Sequence, residues 1–139
     1  MKSATTGTTS RAGHALRDAL MTFDLPREVE RLRSEPEWLE RDRTSITLAK
    51  QPTFRMLLSV LHDGAEIGDE EAEGPLAIQV LEGSLVVVAD GSATTLAAGS
   101  LATFGTGGRW ALRAQGDAAA LLTISWPEDE AGDPRSEAF

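Results

Sequence analysis

Asp69, Glu70, Glu71 and Glu73 form the densest set of reactive side chains in this sequence. Carboxylates this close can work as an acid–base pair or offer oxygen ligands to Ca²⁺, Mg²⁺ or Mn²⁺. A hard-metal site needs about six donors held together, and an acid–base pair leaves no spacing signature, so a solvated acidic loop is the simpler reading of the run. Nitrogen and sulfur chemistry is scarcer. The absence of cysteine excludes disulfides, thiolate nucleophiles and cysteine-ligated zinc or iron–sulfur centres. The two histidines are His14 and His62. His62 ends an apolar stretch just before Asp63-Gly64, where a structural edge histidine is expected rather than a catalytic one. Arg109 follows the glycine-rich run 105–108 and could pair a ligand carboxylate, or simply neutralise Glu70 or Glu71. Arg55 and Gln79 are lesser candidates of the same kind.

These residues must be positioned by a chain of 139 residues, enough for one domain with a continuous core. The formal net charge of −9 argues against nucleic acid and anionic membrane surfaces as partners. No apolar run approaches the roughly 20 residues that span a bilayer. Residues 1–12 lack the apolar centre of a secretory leader, so a cytoplasmic location is expected.

The pattern divides the chain into a flexible extension (1–23), a helical lead-in (24–43), a strand-rich body (44–127) and an acidic tail (128–139). Leu16, Leu20 and Phe23 fall at helical spacing within the extension. In the lead-in, Asp24 can cap a helix whose first turn holds Pro26 and Glu28, with Val29 and Leu32 on its buried face. Glu35-Pro36 ends it, and Trp38 with Leu39 is expected to anchor the connection to the body. Strands are expected at 45–49, 54–62, 76–81, 84–89, 94–97, 101–103, 110–114 and 119–126. Asp63-Gly64, Glu82-Gly83, Asp90-Gly91, Ala98-Gly99, 105–108 and Gly116-Asp117 supply turns between them. Short strands without intervening helical periods indicate an all-β antiparallel barrel or sandwich.

Residues 54–126 resemble the cupin superfamily. Gly64-Ala65-Glu66-Ile67, the acidic cluster and the stretch 76–85 with its Val80-Leu81-Glu82-Gly83 hairpin look like the first cupin motif. Ala98-Gly99-Ser100-Leu101 followed by Gly105-Thr106-Gly107-Gly108-Arg109-Trp110 looks like the second. The resemblance implies a double-stranded β-helix, or jelly-roll barrel, with a short N-terminal helical segment. It also implies a homodimer. Metal-binding cupins hold their ion with two histidines, a glutamate and a third histidine. Counting from Gly83 and Gly99 places these positions on Asp69, Glu71, Leu76 and Trp110, or on Gly68 and Glu70 for the first pair in the neighbouring register. No imidazole falls on any of them, so no metal or other cofactor is expected, and dioxygenase, isomerase and epimerase chemistry is disfavoured.

If Leu76 points inward, strand alternation carries Ile78 and Val80 inward as well, and sends Ala77, Gln79 and Leu81 outward. The interior is then apolar, and Trp110 either fills it or walls a small ligand site. The expected function is therefore metal-free binding of a small apolar or carboxylated ligand, or an interaction role. Trp110, Arg109, Leu76, Ile78, Asp69 and Glu71 are the candidate binding residues. The alternative is an enzyme that uses Asp69 and Glu71 for acid–base or hard-metal chemistry.

Overall fold

The computed structural model describes residues 20–127. Helix α1 (Leu25–Arg33) begins where the capping signals place it, with the Asp24 side chain accepting a hydrogen bond from the Arg27 amide at 3.2 Å. Residues 20–24 are not helical, because the Asp24–Pro26 start signal overrides the weaker apolar spacing before it; the rest of that stretch lies outside the described residues. Val29 and Leu32 are buried, and so is Glu28, whose carboxylate lies 3.8 Å from Arg31. Helix α2 (Pro36–Glu40) buries Trp38, which stacks on the His62 ring at a centroid distance of 3.5 Å. Leu39, expected to help anchor the connection, is 85% exposed. Neighbouring residues on a helix point about 100° apart, so a single turn can direct only one of the two toward the sheet.

Seven antiparallel strands follow: β1 (Arg43–Gln51), β2 (Phe54–Leu61), β3 (Glu66–Glu71), β4 (Leu76–Ala89), β5 (Ser92–Ala97), β6 (Leu101–Phe104) and β7 (Arg109–Ser125). They run in the order β1-β2-β7-β4-β5, with β3 added on β7 and β6 on β4. This is the all-β jelly-roll barrel with a short helical lead-in. Three local readings of the sequence are corrected. Asp69, Glu70 and Glu71 of the acidic run end strand β3 rather than lying in a loop, and Glu73 follows beyond it. Glu82-Gly83 is not a hairpin, and Gly116-Asp117 is not a turn between strands: both lie within long strands, β4 and β7, which pair along almost their whole length.

Those two glycines bend the long pair instead of ending it. The β4–β7 register shifts at Glu82, on both of its sides, and Gly83 and Gly116 both take positive φ (+76° and +78°). A Cβ on Gly83 would overlap the Asp117 carbonyl. The bend returns both ends of the pair, Leu76 with Ile124 and Ala89 with Trp110, toward the same end of the barrel. At Asp90-Gly91 the reversal from β4 to β5 is a true two-residue turn, with φ of +49° and +84° as a type I′ hairpin requires.

Two apolar clusters hold the fold. One fills the barrel and includes Leu61, Ile78, Val80, Leu85, Leu112, Ala114, Ala118, Leu122 and Trp110. The other joins Val29, Leu32 and Trp38 to the outer face of β1, β2 and β7 through Ile46, Leu48, Leu58, Val60, Ala119 and Leu121. Leu76, Ile78 and Val80 all point inward, while Gln79 is exposed and Leu81 packs on the outer cluster, following the alternation read from sequence. No helix among the described residues is long and apolar enough to cross a membrane.

Candidate functional site

The barrel has a closed end and an open one. At the closed end, Asp63 and the β7 bend are tied reciprocally: the Gly116 amide donates to the Asp63 carboxylate at 2.7 Å, and the Asp63 amide donates to the Asp117 carboxylate at 3.1 Å. His62 adjoins this end. Its Nε2 lies 2.5 Å from the Trp38 carbonyl oxygen, its Nδ1 3.8 Å from Asp117, and its ring rests on Trp38. These contacts make it a structural histidine, away from the open end.

The open end carries a cleft of about 250 Å³. Leu76, Trp110, Ile124 and Trp126 form its apolar walls, and Glu70, Glu71 and Glu73 stand around it. Backbone packing sets this shape. Gly74 lies so close to β7 that a Cβ would sit 2.5 Å from the Ser125 carbonyl oxygen. The Ser125 hydroxyl donates to the Pro75 carbonyl at 2.6 Å, drawing the entry to β4 onto the end of β7. On the other side, the Ala72 amide donates to the Gly108 carbonyl at 2.8 Å and the Gly107 amide to the Ala72 carbonyl at 2.7 Å. The glycine-rich turn thereby holds the end of β3 over the cleft.

The orientation of β3 depends on one residue. Asp69 adopts φ +64° at a bulge in the β3–β7 pairing, and Glu70 then pairs directly with Trp110. Directly paired residues share a face of the sheet, so Glu70 is turned toward the side on which Trp110 lies. Gly68 pairs with Ala111, on the face opposite Trp110, while Ile67 before it packs on the inner cluster with its partner Leu112. The bulge thus breaks the alternation that both registers read from the sequence assume: Ile67 and Glu70 face the Trp110 side, and Gly68 does not.

The candidate residues separate accordingly. Leu76, Trp110 and Glu71 line the cleft; Ile78 is fully buried in the barrel below and does not. Asp69 and Arg109 face each other outside the lining, with Arg109 Nε 3.2 Å from the Asp69 carboxylate and Nη2 donating to the Asp69 carbonyl at 2.9 Å. Arg109 thus neutralises Asp69 rather than Glu70 or Glu71, because the bulge swings Asp69 outward beside it. Ile124 and Trp126 also line the cleft, and the motif positions do not point to them, although the alternation through Leu122, Ile124 and Trp126 marks them as inward. Arg55, on β2 opposite Ile124, is 1% exposed and holds its guanidinium 5.8 Å from the Trp126 ring centroid.

The residues at the metal-holding positions of a cupin do not fit a transition metal. Leu76 has no donor atom, Gly68 has no side chain, and the indole of Trp110 donates a hydrogen bond but offers no lone pair to an ion. Glu70, or Asp69 and Glu71 in the other register, supply only carboxylate oxygens. Among the described residues, no group of three or more His, Cys, Asp or Glu side chains could hold a metal ion.

No known family and no curated protein matches the chain. Solved structures do. A protein of unknown function from Streptococcus pyogenes aligns with a TM-score of 0.65 at 24% identity, over 86% of this chain and 97% of its own. A cupin superfamily protein from Desulfitobacterium hafniense aligns at 0.59 and 20% identity, over 61% and 78%. The salicylate 1,2-dioxygenase of Pseudoaminobacter salicylatoxidans, solved with gentisate, aligns at 0.62 and 22% identity over 71% of this chain. This chain spans about a third of that enzyme, 32% of its length. Taken with the jelly-roll topology and the placement of both motifs around one barrel, these likenesses show that the chain has the cupin fold.

Proposed function

We propose that this chain is a metal-free cupin that binds a small organic molecule in the cleft at the open end of its barrel. The observation that carries the reading is that Leu76 and Trp110, two side chains that cannot bind a metal and that the motif count sets at the ligand positions of a metal-binding cupin, both wall the cleft. An apolar guest suits these walls better than a carboxylated one, since Arg109 is engaged by Asp69 and the cleft is ringed by glutamates. The acid–base alternative has less support, because Asp69 pairs with Arg109 outside the cleft while Glu71 lines it.

Two measurements test the reading. Elemental analysis of protein purified without chelators is expected to give well under one transition metal ion per chain, and one equivalent would overturn it. A ligand-detected NMR screen of small organic molecules is expected to yield binders that perturb the Trp110 and Trp126 indole resonances. A pairing of subunits is part of the same proposal. Strand β1 pairs only with β2 among the described residues, leaving its other edge open to a second copy. Light scattering at twice the monomer mass is the expected result.

A further inference from the structure

We infer that the cleft selects a small organic cation that also carries a hydrogen-bond acceptor, such as a quaternary ammonium with a hydroxyl group two carbons away; this rests on the cleft being the ligand site proposed above. Three observations converge on that chemistry.

The first is the wall. Trp110 and Trp126 both line the cleft, and tryptophan is the aromatic side chain whose ring quadrupole attracts a cation most strongly; the Trp126 ring already does so with the Arg55 guanidinium, 5.8 Å from its centroid. An alkylated ammonium presents an apolar surface to such walls and to Leu76 and Ile124, while keeping its charge.

The second is the sign of the surroundings. Glu70 and Glu71 stand at the cleft, and no described lysine, arginine or histidine lines it. The nearest basic side chains are accounted for: Arg109 is held by Asp69, and Arg55 is 1% exposed against the Trp126 ring and does not line the cleft. A net charge of −9 adds a long-range field of the same sign. A carboxylate guest would enter against Glu70, Glu71 and that net negative charge.

The third is Trp110 itself. It is only 3% exposed and lines the cleft, yet its indole N–H makes no hydrogen bond to any described residue. The indole nitrogen remains open to solvent in the cleft, where an acceptor on the guest can take the place of water. The cation and the acceptor must lie close together on one molecule. The 250 Å³ of the cleft falls below the roughly 300–1,000 Å³ of drug-sized sites, so the guest is small.

The test uses three probes of nearly one shape on the full chain: choline, its neutral isostere 3,3-dimethylbutan-1-ol, and the anion 3,3-dimethylbutanoate, each titrated by isothermal calorimetry and followed by tryptophan NMR. Choline is expected to bind about tenfold more tightly than the alcohol, and the anion more weakly than either. Replacing Glu70 with glutamine (Glu70→Gln) is expected to weaken choline about fivefold and leave the alcohol unchanged, while raised salt weakens choline alone. Equal affinity for choline and the alcohol, or preference for the anion, would overturn the cation assignment and leave the cleft standing as a binding site. No perturbation of either indole by any of the three probes at millimolar concentration would overturn both.

Discussion

The closed and open ends of this barrel are built from different side chains around the same two strands. At the closed end Ala65, Ala114 and Ala118 bring the strands close together, and charged residues there point their carboxylates at backbone amides. At the open end the same strands carry Trp110, Leu76 and Ile124, large side chains that hold the walls apart, and Glu70 and Glu71 stand beside them as charges at the rim. Small residues permit tight closure, whereas bulky ones at a rim leave concave space. If the open end is the ligand site proposed above, stability is concentrated at one end and recognition at the other, and substitutions at the two ends should separate these properties.

Gly83→Ala gives the largest expected effect. The new Cβ would combine a left-handed backbone conformation, costing about 1–2 kcal/mol, with overlap against the Asp117 carbonyl, costing about 1–3 kcal/mol. A loss of about 4 kcal/mol in a urea unfolding titration is expected. Gly91→Ala serves as the control, since its φ of +84° is similar but its Cβ would meet nothing within 4 Å. It should cost only about 1–2 kcal/mol. Equal losses would mean that the bend is not tightly packed.

A second comparison runs along one strand. Ile78 is fully buried within the barrel and Leu76, two residues earlier on the same face, borders the cleft. Ile78→Ala should leave a cavity that the packed interior cannot close, costing about 3 kcal/mol. Leu76→Ala opens space that merges with the cleft and is expected to cost about 2 kcal/mol. Thermal or chemical unfolding of both variants measures the gap, and a larger loss at Leu76 would break the division between the two ends.

What is legible in the sequence follows the same division. The alternation of Leu76, Ile78 and Val80 marks the barrel interior because apolar residues recur there at the strand period. Glycine spacing in the two motifs locates Leu76 and Trp110, and with them two walls of the cleft. Strand β3 is hidden, because its residues are mostly charged or glycine and its face reverses at the Asp69 bulge, which no local residue pattern announces. The long strands β4 and β7 read as divided at Gly83 and Gly116 for a related reason. A glycine at positive φ marks a turn and a bulge equally well, and only the pairing partner distinguishes them. The acidic neighbour of Arg109 depends on the bulge as well, so spacing alone points to Glu70 or Glu71 where the structure has Asp69.

A smaller effect belongs to the reciprocal hydrogen bonds at the closed end. Asp63→Ala removes the acceptor of the Gly116 amide, at 2.7 Å, and keeps the bond from the Asp63 backbone amide to Asp117. Asp63 and Gly116 are both exposed, so water can replace the lost acceptor, and the expected cost is about 1 kcal/mol. Asp63→Asn keeps an acceptor and should recover most of it. Failure of the asparagine variant to do so would assign the effect to charge instead of to the amide bond.

Glu70→Gln has the smallest expected effect on stability and gives the sharpest test of the contrast. Glu70 is exposed, it stands in an acidic group with Glu71 and Glu73, and its role in the fold is confined to backbone pairing with Trp110. Removing one of several like charges cannot cost an attraction, and relief of repulsion should leave the unfolding free energy within about 0.5 kcal/mol of the parent or slightly above it. Low salt should enlarge any gain, because screening between exposed charges weakens as the Debye length grows. A loss above about 1 kcal/mol would mean that the carboxylate supports the structure of the open end, and stability and recognition would then share the same residues there.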